Sequence, residues 1–236
     1  MTRRRWTPFV LLLAVAPFIV GAVAATPKPG PFADARLIIE VNATDGDAGL
    51  QILLDGQPWN QVAVFRLDGQ QIIDFKTAGP VNDYGLTELF SESSEPPFTE
   101  FPLEQFKALF PEGVYTFVGT TIGGASLAGT ATLTHNIPNG PEIVSPQDGA
   151  RIASDQAVIR WGAGSQPPGV EIVGYQVVVT RENPLRVFSV DLPATAASVR
   201  VPTAFLEPHT SYSVEVLAIE AGGNQTLTER TFVVKW

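Results

Sequence analysis

Residues 206–218 of the 236-residue chain are LEPHTSYSVEVLA. After Pro208, apolar side chains recur at every second position from Tyr212 to Ala218. A period of two is typical of a strand that buries one face and exposes the other. The stretch therefore predicts a β-strand that the chain enters from a proline-containing turn.

The same alternation runs through the rest of the C-terminal half. Clusters of Pro, Gly and Asn separate the alternating segments at the spacing expected for an all-β sandwich, and no segment has a helical period. We expect seven strands in this half. The alternating segments besides the first are 157–161, 175–179, 197–201 and 232–236.

Three features of this half occur together. Trp161 ends the second predicted strand, Tyr175 lies in the third, and residues 206–212 (LEPHTSY) precede the sixth. This set resembles the fibronectin type III domain over residues 141–236, and residues 206–212 are similar to that family's tyrosine corner. The resemblance implies an immunoglobulin-like β-sandwich, a fold that serves many unrelated functions. The Arg-Gly-Asp motif of some family members is absent, and the corresponding loop, residues 221–225, is AGGNQ.

The N-terminal half also predicts strands, which makes the whole chain all-β. Asp68-Gly69 is a strong hairpin signal, and Gly123-Gly124 predicts a second hairpin. Between them, Leu103, Phe106 and Leu109 recur at helical spacing and predict a short helix that covers one end of a sandwich. This half resembles exported bacterial β-domains of no named family. The predicted strands are 37–42, 50–54, 61–67, 70–76, 114–121 and 126–134.

The segment 136–141, NIPNGP, cannot lie inside a central strand and predicts a domain boundary. Residues 33–140 carry 14 acidic and 4 basic residues, a net charge of −10, whereas residues 141–236 carry 10 and 7, a net charge of −3. We therefore predict a signal peptide (1–25), a linker (26–32), an acidic β-sandwich domain (33–137) and a fibronectin type III-like domain (138–236).

The first 25 residues have the pattern of an export signal. Arg3, Arg4 and Arg5 precede an apolar run over residues 8–25, and residues 22–24 (AVA) form a small-residue cleavage site. The pattern predicts cleavage near Ala24/Ala25 and a secreted or periplasmic protein that does not insert into a membrane once the signal is removed. An uncleaved N-terminal anchor is the alternative, because the run of 18 residues is at the lower limit of a membrane span.

Composition excludes several classes of function. The chain has no cysteine, which excludes disulfides, zinc–thiolate sites and thiol nucleophiles. Two histidines without a motif around them give no catalytic triad, and we predict no enzymatic activity. A net charge of −9 argues against nucleic acid as a partner, because phosphate contacts require Lys and Arg.

One turn carries a candidate metal site. Residues 42–47 are NATDGD, and Asn42, Asp45 and Asp47 supply side-chain oxygens of the kind that calcium binds. The alternative is a plain turn, since Asn, Asp and Gly favour turns through their own backbone hydrogen bonds. Calcium is the one cofactor that the sequence suggests.

Two further features suggest carbohydrate chemistry. Trp59 follows a predicted loop and is a candidate platform for stacking a sugar ring, although most tryptophans cover a core edge instead. Six acidic residues between positions 83 and 104 offer carboxylate pairs for a glycosidase, but the pattern favours a solvated acidic loop instead.

The sequence thus predicts a non-catalytic binding or spacer protein of the bacterial cell envelope, with a protein or glycan partner. The first alternative is a calcium-dependent carbohydrate-binding module that uses the Asn42–Asp47 turn and Trp59. The second is a small envelope hydrolase.

Overall fold

A computed structural model describes residues 28–235 of the chain. The predicted signal peptide, residues 1–25, and the first two residues of the predicted linker lie outside the described residues. Within residues 28–235 the chain folds into fifteen strands and two short helices, which confirms the all-β fold class with a short helix. No helix in this part of the chain is long and apolar enough to cross a membrane.

The described residues of the N-terminal half form seven strands and two short helices. Its elements are β1 (Gly30–Pro31), β2 (Asp34–Asn42), β3 (Asp47–Phe65), β4 (Gln71–Lys76), α1 (Pro80–Tyr84), β5 (Leu86–Glu92), α2 (Leu103–Leu109), β6 (Gly113–Thr121) and β7 (Ser126–Leu133).

The C-terminal half contains no α-helix among its described residues. Its elements are β8 (Glu142–Ser145), β9 (Ala150–Ala153), β10 (Val158–Gly162), β11 (Ile172–Arg181), β12 (Arg186–Pro193), β13 (Ser198–Arg200), β14 (Ser211–Glu220) and β15 (Gln225–Lys235).

The long strand β3 organises the N-terminal half. Its first part pairs with β2 and β5, and its last part pairs with β4 and β6. The pairing register shifts between Asp55 and Trp59, where the strand passes from one set of partners to the other. Two strands that the sequence predicts separately, 50–54 and 61–67, are therefore parts of one strand. The apolar side chains between Phe32 and Leu133 form one core, and Phe106 of α2 is buried in it.

The C-terminal half is a sandwich of two sheets. Strands β13, β10 and β8 form a three-stranded sheet, and β12, β11, β14 and β15 lie in the sheet that packs on it. Side chains between Ile143 and Val234 form a second core between them. Trp161 and Tyr175, which the sequence places on the second and third strands, meet in this core with ring centroids 5.5 Å apart.

Tyr212 fixes the start of β14 as the sequence predicts. Its hydroxyl accepts a hydrogen bond from the Glu207 backbone N–H at 2.8 Å and contacts the carbonyl oxygen of Phe205 at 3.5 Å. The ring is buried and stacks on Phe232 with centroids 5.4 Å apart. The hydroxyl thereby ties the chain before the strand to the strand itself, which is the geometry of a tyrosine corner.

Candidate functional site

The predicted calcium residues lie in the turn that joins β2 to β3. Asn42 Oδ1 accepts the backbone N–H groups of Thr44 at 2.9 Å and Asp45 at 3.1 Å. Asn42 Nδ2 donates to Asp45 Oδ2 at 3.2 Å, and Gly46 adopts a positive φ of 69°. Asn42 is buried, Asp47 is half-buried and Asp45 is exposed. Because these bonds engage the Asn42 oxygen within the turn, the geometry favours the plain turn, and calcium binding here stays a prediction.

Trp59 lies in the core rather than on the surface. None of its surface is exposed, and its ring packs edge-on against Phe75 with centroids 5.8 Å apart. The prediction of a sugar-stacking platform is wrong, because neither face of the indole is accessible to a ligand. The physical reason is that β3 continues through residues 55–59, where the sequence suggests a loop, and turns the side chain inward.

Three carboxylates form the closest acidic group among the described residues. Side-chain oxygens of Glu40, Glu92 and Glu95 lie within 4.8 Å of one another. Gln225 Nε2 donates to Glu40 Oε2 at 2.5 Å, and Gln51 Nε2 donates to Glu92 Oε1 at 2.9 Å. These three carboxylates lie close enough together to hold a cation. The sequence places Glu92 and Glu95 in the acidic stretch, but Glu40 is about fifty positions away and joins them only through the pairing of β2, β3 and β5.

Glu40 also lies where a strand of one half pairs with a strand of the other half. β2 pairs with β3 on one side and with β15 on the other, in parallel, with Gln225 opposite Glu40 and Leu227 opposite Asn42. The Ala43 backbone N–H extends this pairing by donating to the Leu227 carbonyl oxygen at 2.9 Å. Backbone hydrogen bonds therefore make one continuous sheet of strands from both halves.

The buried side chain of Asn224 stabilises this pairing through hydrogen bonds. It is 2% exposed, and its Oδ1 accepts the Ile39 backbone N–H at 2.9 Å. Its Nδ2 donates to the carbonyl oxygens of Thr134 at 2.9 Å and Asn136 at 3.2 Å, and lies 3.1 Å from Thr134 Oγ1. From the loop before β15, this one side chain thus binds both β2 and the segment between the halves. We call Asn224 and the β2–β15 pairing the junction.

The loop that carries Asn224 is held in place by Glu220. Its carboxylate oxygens accept the backbone N–H groups of Gly222 at 2.7 Å and Asn224 at 3.0 Å. Gly223 adopts a positive φ of 99°, which a side chain would strain, and an added Cβ would lie 3.1 Å from Ile38. The loop that the fibronectin resemblance would present for adhesion is therefore packed into the junction.

The segment between the halves is fixed as well. Thr226 Oγ1 donates to the Pro138 carbonyl oxygen at 2.6 Å, and the Glu229 backbone N–H donates to Thr44 Oγ1 at 2.8 Å. A Cβ added at Gly140 would lie 2.6 Å from Thr228 Oγ1 and 2.9 Å from Ala43 Cβ. The predicted boundary residues are therefore in close contact with both halves rather than forming a free linker. A cleft of about 550 Å³ opens beside them, lined in part by Phe98, Leu103, Lys107, His135 and Pro167.

The topology of the C-terminal half is that of an immunoglobulin-like β-sandwich. More specifically, residues 145–234 match the family model of the fibronectin type III domain, which confirms the resemblance seen in the sequence. A search of curated proteins found no significant match.

Two solved structures with fibronectin type III domains are similar to the chain. A two-domain segment of chicken tenascin is 11% identical, with 85% of this chain and 97% of that chain covered and a TM-score of 0.29. The FN1–FN3 domains of chicken CNTN1 are 12% identical, with 89% of this chain and 69% of that chain covered and a TM-score of 0.31. At these scores the family assignment rests on the family model and on the topology of residues 145–234.

Fibronectin type III domains are typically non-catalytic and commonly mediate protein–protein interactions. The domain therefore supports a non-catalytic binding or spacer role for this chain.

Proposed function

We propose that this protein is a rigid spacer of the bacterial cell envelope, secreted or periplasmic, that holds a protein partner at a fixed distance and angle from its N-terminal half. The junction carries this proposal. Domains joined by a flexible linker move relative to one another by default. A spacer that must hold a partner in place needs a joint that cannot swivel.

The chemistry of the junction explains why it resists bending. Any hinge motion would separate β15 from β2 and break backbone hydrogen bonds such as Ala43 N–H to Leu227 O. It would also strip Asn224 of its partners in a buried environment, where each unsatisfied polar group costs about 1–3 kcal/mol. Several such losses at once make the bent state rare.

The envelope location rests on the sequence of the first 25 residues. A basic start, an apolar run and small residues before the cleavage site are what the export machinery recognises. In protein isolated from its host, we expect a mature chain that begins at Ala25 or Thr26, and intact-mass measurement decides this. A chain that retains Arg3 to Arg5 would contradict cleavage and favour an anchor.

The rigidity can be measured as a distance distribution. The chain has no native cysteine, so the pair Thr130→Cys and Ser189→Cys places spin labels at exposed sites on β7 and β12, one in each half. Double electron–electron resonance should give one narrow distance peak. The same pair with Asn224→Ala should give a broader distribution, because the substitution removes the side-chain bonds that fix the loop before β15 to β2 and to the segment between the halves. A broad distribution in the chain with intact Asn224 would contradict the spacer proposal.

A further inference from the structure

One end of the N-terminal half consists of three segments that carry almost no charge. Residues 56–60 (GQPWN), 77–85 (TAGPVNDYG) and 121–126 (TIGGAS) contain a single charged side chain, Asp83. Three large apolar side chains are nevertheless exposed there: Val81 at 44%, Tyr84 at 87% and Ile122 at 46%. In a half with a net charge of −10, such an uncharged end is unexpected.

These segments are in contact and form one surface. The Ile122 backbone N–H donates to the Pro58 carbonyl oxygen at 3.1 Å, and the Thr77 backbone N–H donates to the Asn60 carbonyl oxygen at 3.0 Å. Gly85 has a positive φ of 82°, and a Cβ added to it would lie 2.8 Å from Ile122 Cγ2 and 2.9 Å from Pro58 Cβ. We call Pro58, Val81, Tyr84 and Ile122 the tip surface.

The N-terminal end of the described chain leaves the fold beside the tip surface. Gly30 pairs with Leu127 in a parallel ladder, so the residues before Gly30 run towards Ser126 and the turn that contains Ile122. Residues 26–29 span at most about 14 Å when fully extended. In the sequence, these four residues are all that separates the apolar run over residues 8–25 from β1.

We propose that the tip surface docks on the lipid bilayer from which the exported chain emerges. Tyrosine is enriched at membrane–water interfaces, where its ring meets the acyl chains and its hydroxyl meets the headgroups. Val81 and Ile122 supply exposed aliphatic side chains, and uncharged glycine-rich loops allow close approach. The apolar run that precedes β1 by four residues in the sequence favours a bilayer over a second copy of the chain.

Charge sets the lipid preference. The acidic N-terminal half is repelled by anionic headgroups, so binding should be stronger to zwitterionic phosphatidylcholine than to vesicles that contain phosphatidylserine. Salt screens this repulsion and should reduce the difference. The proposal rests on the export of the chain but not on the rigidity of the junction, because vesicle binding is measured on the tip surface alone.

Vesicle flotation tests this with the chain that begins at Thr26, which contains both cores complete because they lie between Phe32 and Val234. The tip variant carries Val81→Thr, Tyr84→Ser and Ile122→Thr. A matched control carries Val144→Thr and Val173→Thr, which remove exposed apolar side chains from the other half. We expect the tip variant to bind phosphatidylcholine vesicles at least tenfold more weakly, and the control to bind like the parent.

Equal binding of the tip variant and the parent, or no binding by the parent, would overturn the proposal. So would a dimer in analytical ultracentrifugation that the tip variant loses, because the surface would then join two copies. Should the tip variant fail to fold, Tyr84→Trp provides a second measurement. Brominated lipids should quench the added tryptophan fluorescence of Tyr84→Trp and not that of Val173→Trp, and equal quenching would contradict the docking.

Discussion

Asn224→Ala should destabilise the protein far more than the loss of a polar side chain from a loop normally does. The substitution leaves one buried backbone group, the N–H of Ile39, and two part-buried ones, the carbonyl oxygens of Thr134 and Asn136, without their side-chain partner. Each such group costs about 1–3 kcal/mol when it is left unsatisfied, and water entering the small space left behind offsets part of that. We expect a loss of about 2–4 kcal/mol in the free energy of unfolding.

Two further variants show whether hydrogen bonding or volume is responsible. Asn224→Asp keeps the size and the acceptor for Ile39 but places an oxygen against the Thr134 and Asn136 carbonyls, so it should lose at least as much stability as Asn224→Ala. Asn136→Ala removes an exposed side chain from the same segment and should change stability by less than about 0.5 kcal/mol.

Urea unfolding followed by tryptophan fluorescence measures all three variants, since Trp59 reports on one core and Trp161 on the other. A loss below about 0.5 kcal/mol for Asn224→Ala, or an Asn224→Asp variant as stable as the parent, would refute the reasoning, because the buried bonds would then contribute little.

Three other perturbations have defined outcomes. In urea unfolding, Tyr212→Phe removes one hydroxyl bond and should lower the free energy of unfolding by about 1 kcal/mol, whereas Tyr212→Ala should lower it by about 3–5 kcal/mol. A Tyr212→Ala variant as stable as the parent would contradict the tyrosine corner. Hydrogen bonds from the Thr231 backbone N–H and hydroxyl lower the pKa of Asp148, so the stabilisation by the Asp148 carboxylate is present at neutral pH and is lost as the pH falls through that lowered pKa. Asp148→Asn should therefore flatten the acid limb of the stability–pH curve, and an unchanged limb would argue against these bonds. Millimolar calcium and magnesium should shift the melting temperature equally, as expected for a plain turn. A rise with calcium alone, abolished in the double variant Asp45→Asn/Asp47→Asn, would instead establish a calcium site.

The sequence predicts those parts of the fold that depend on local patterns. The alternation from Tyr212 to Ala218 gives β14, and the helical spacing of Leu103 and Phe106 gives α2, because both patterns lie within one element. The resemblance to the fibronectin type III domain depends on local features in the same way, namely the tyrosine corner and Trp161.

The junction could not be predicted in this way. Asn224 and Ile39 are 185 positions apart, and a loop of the sequence AGGNQ has the composition of an exposed turn. Its burial depends on the parallel pairing of β15 with β2, which no local pattern encodes. The sequence misplaces Trp59 for a related reason, because Gly56 and Pro58 indicate a loop although the strand pairing of β3 continues past them.

Amide hydrogen exchange at Ile39 and Ala43 tests the rigid junction most directly. The N–H of Ile39 donates to the Asn224 side chain and that of Ala43 to the Leu227 carbonyl oxygen, so both report on contacts between the two halves. If the halves form one rigid body, these two amides should exchange as slowly as core amides such as those of β14, through global unfolding. Exchange many times faster at Ile39 and Ala43, with β14 still protected, would show that the junction opens on its own and would contradict a rigid spacer.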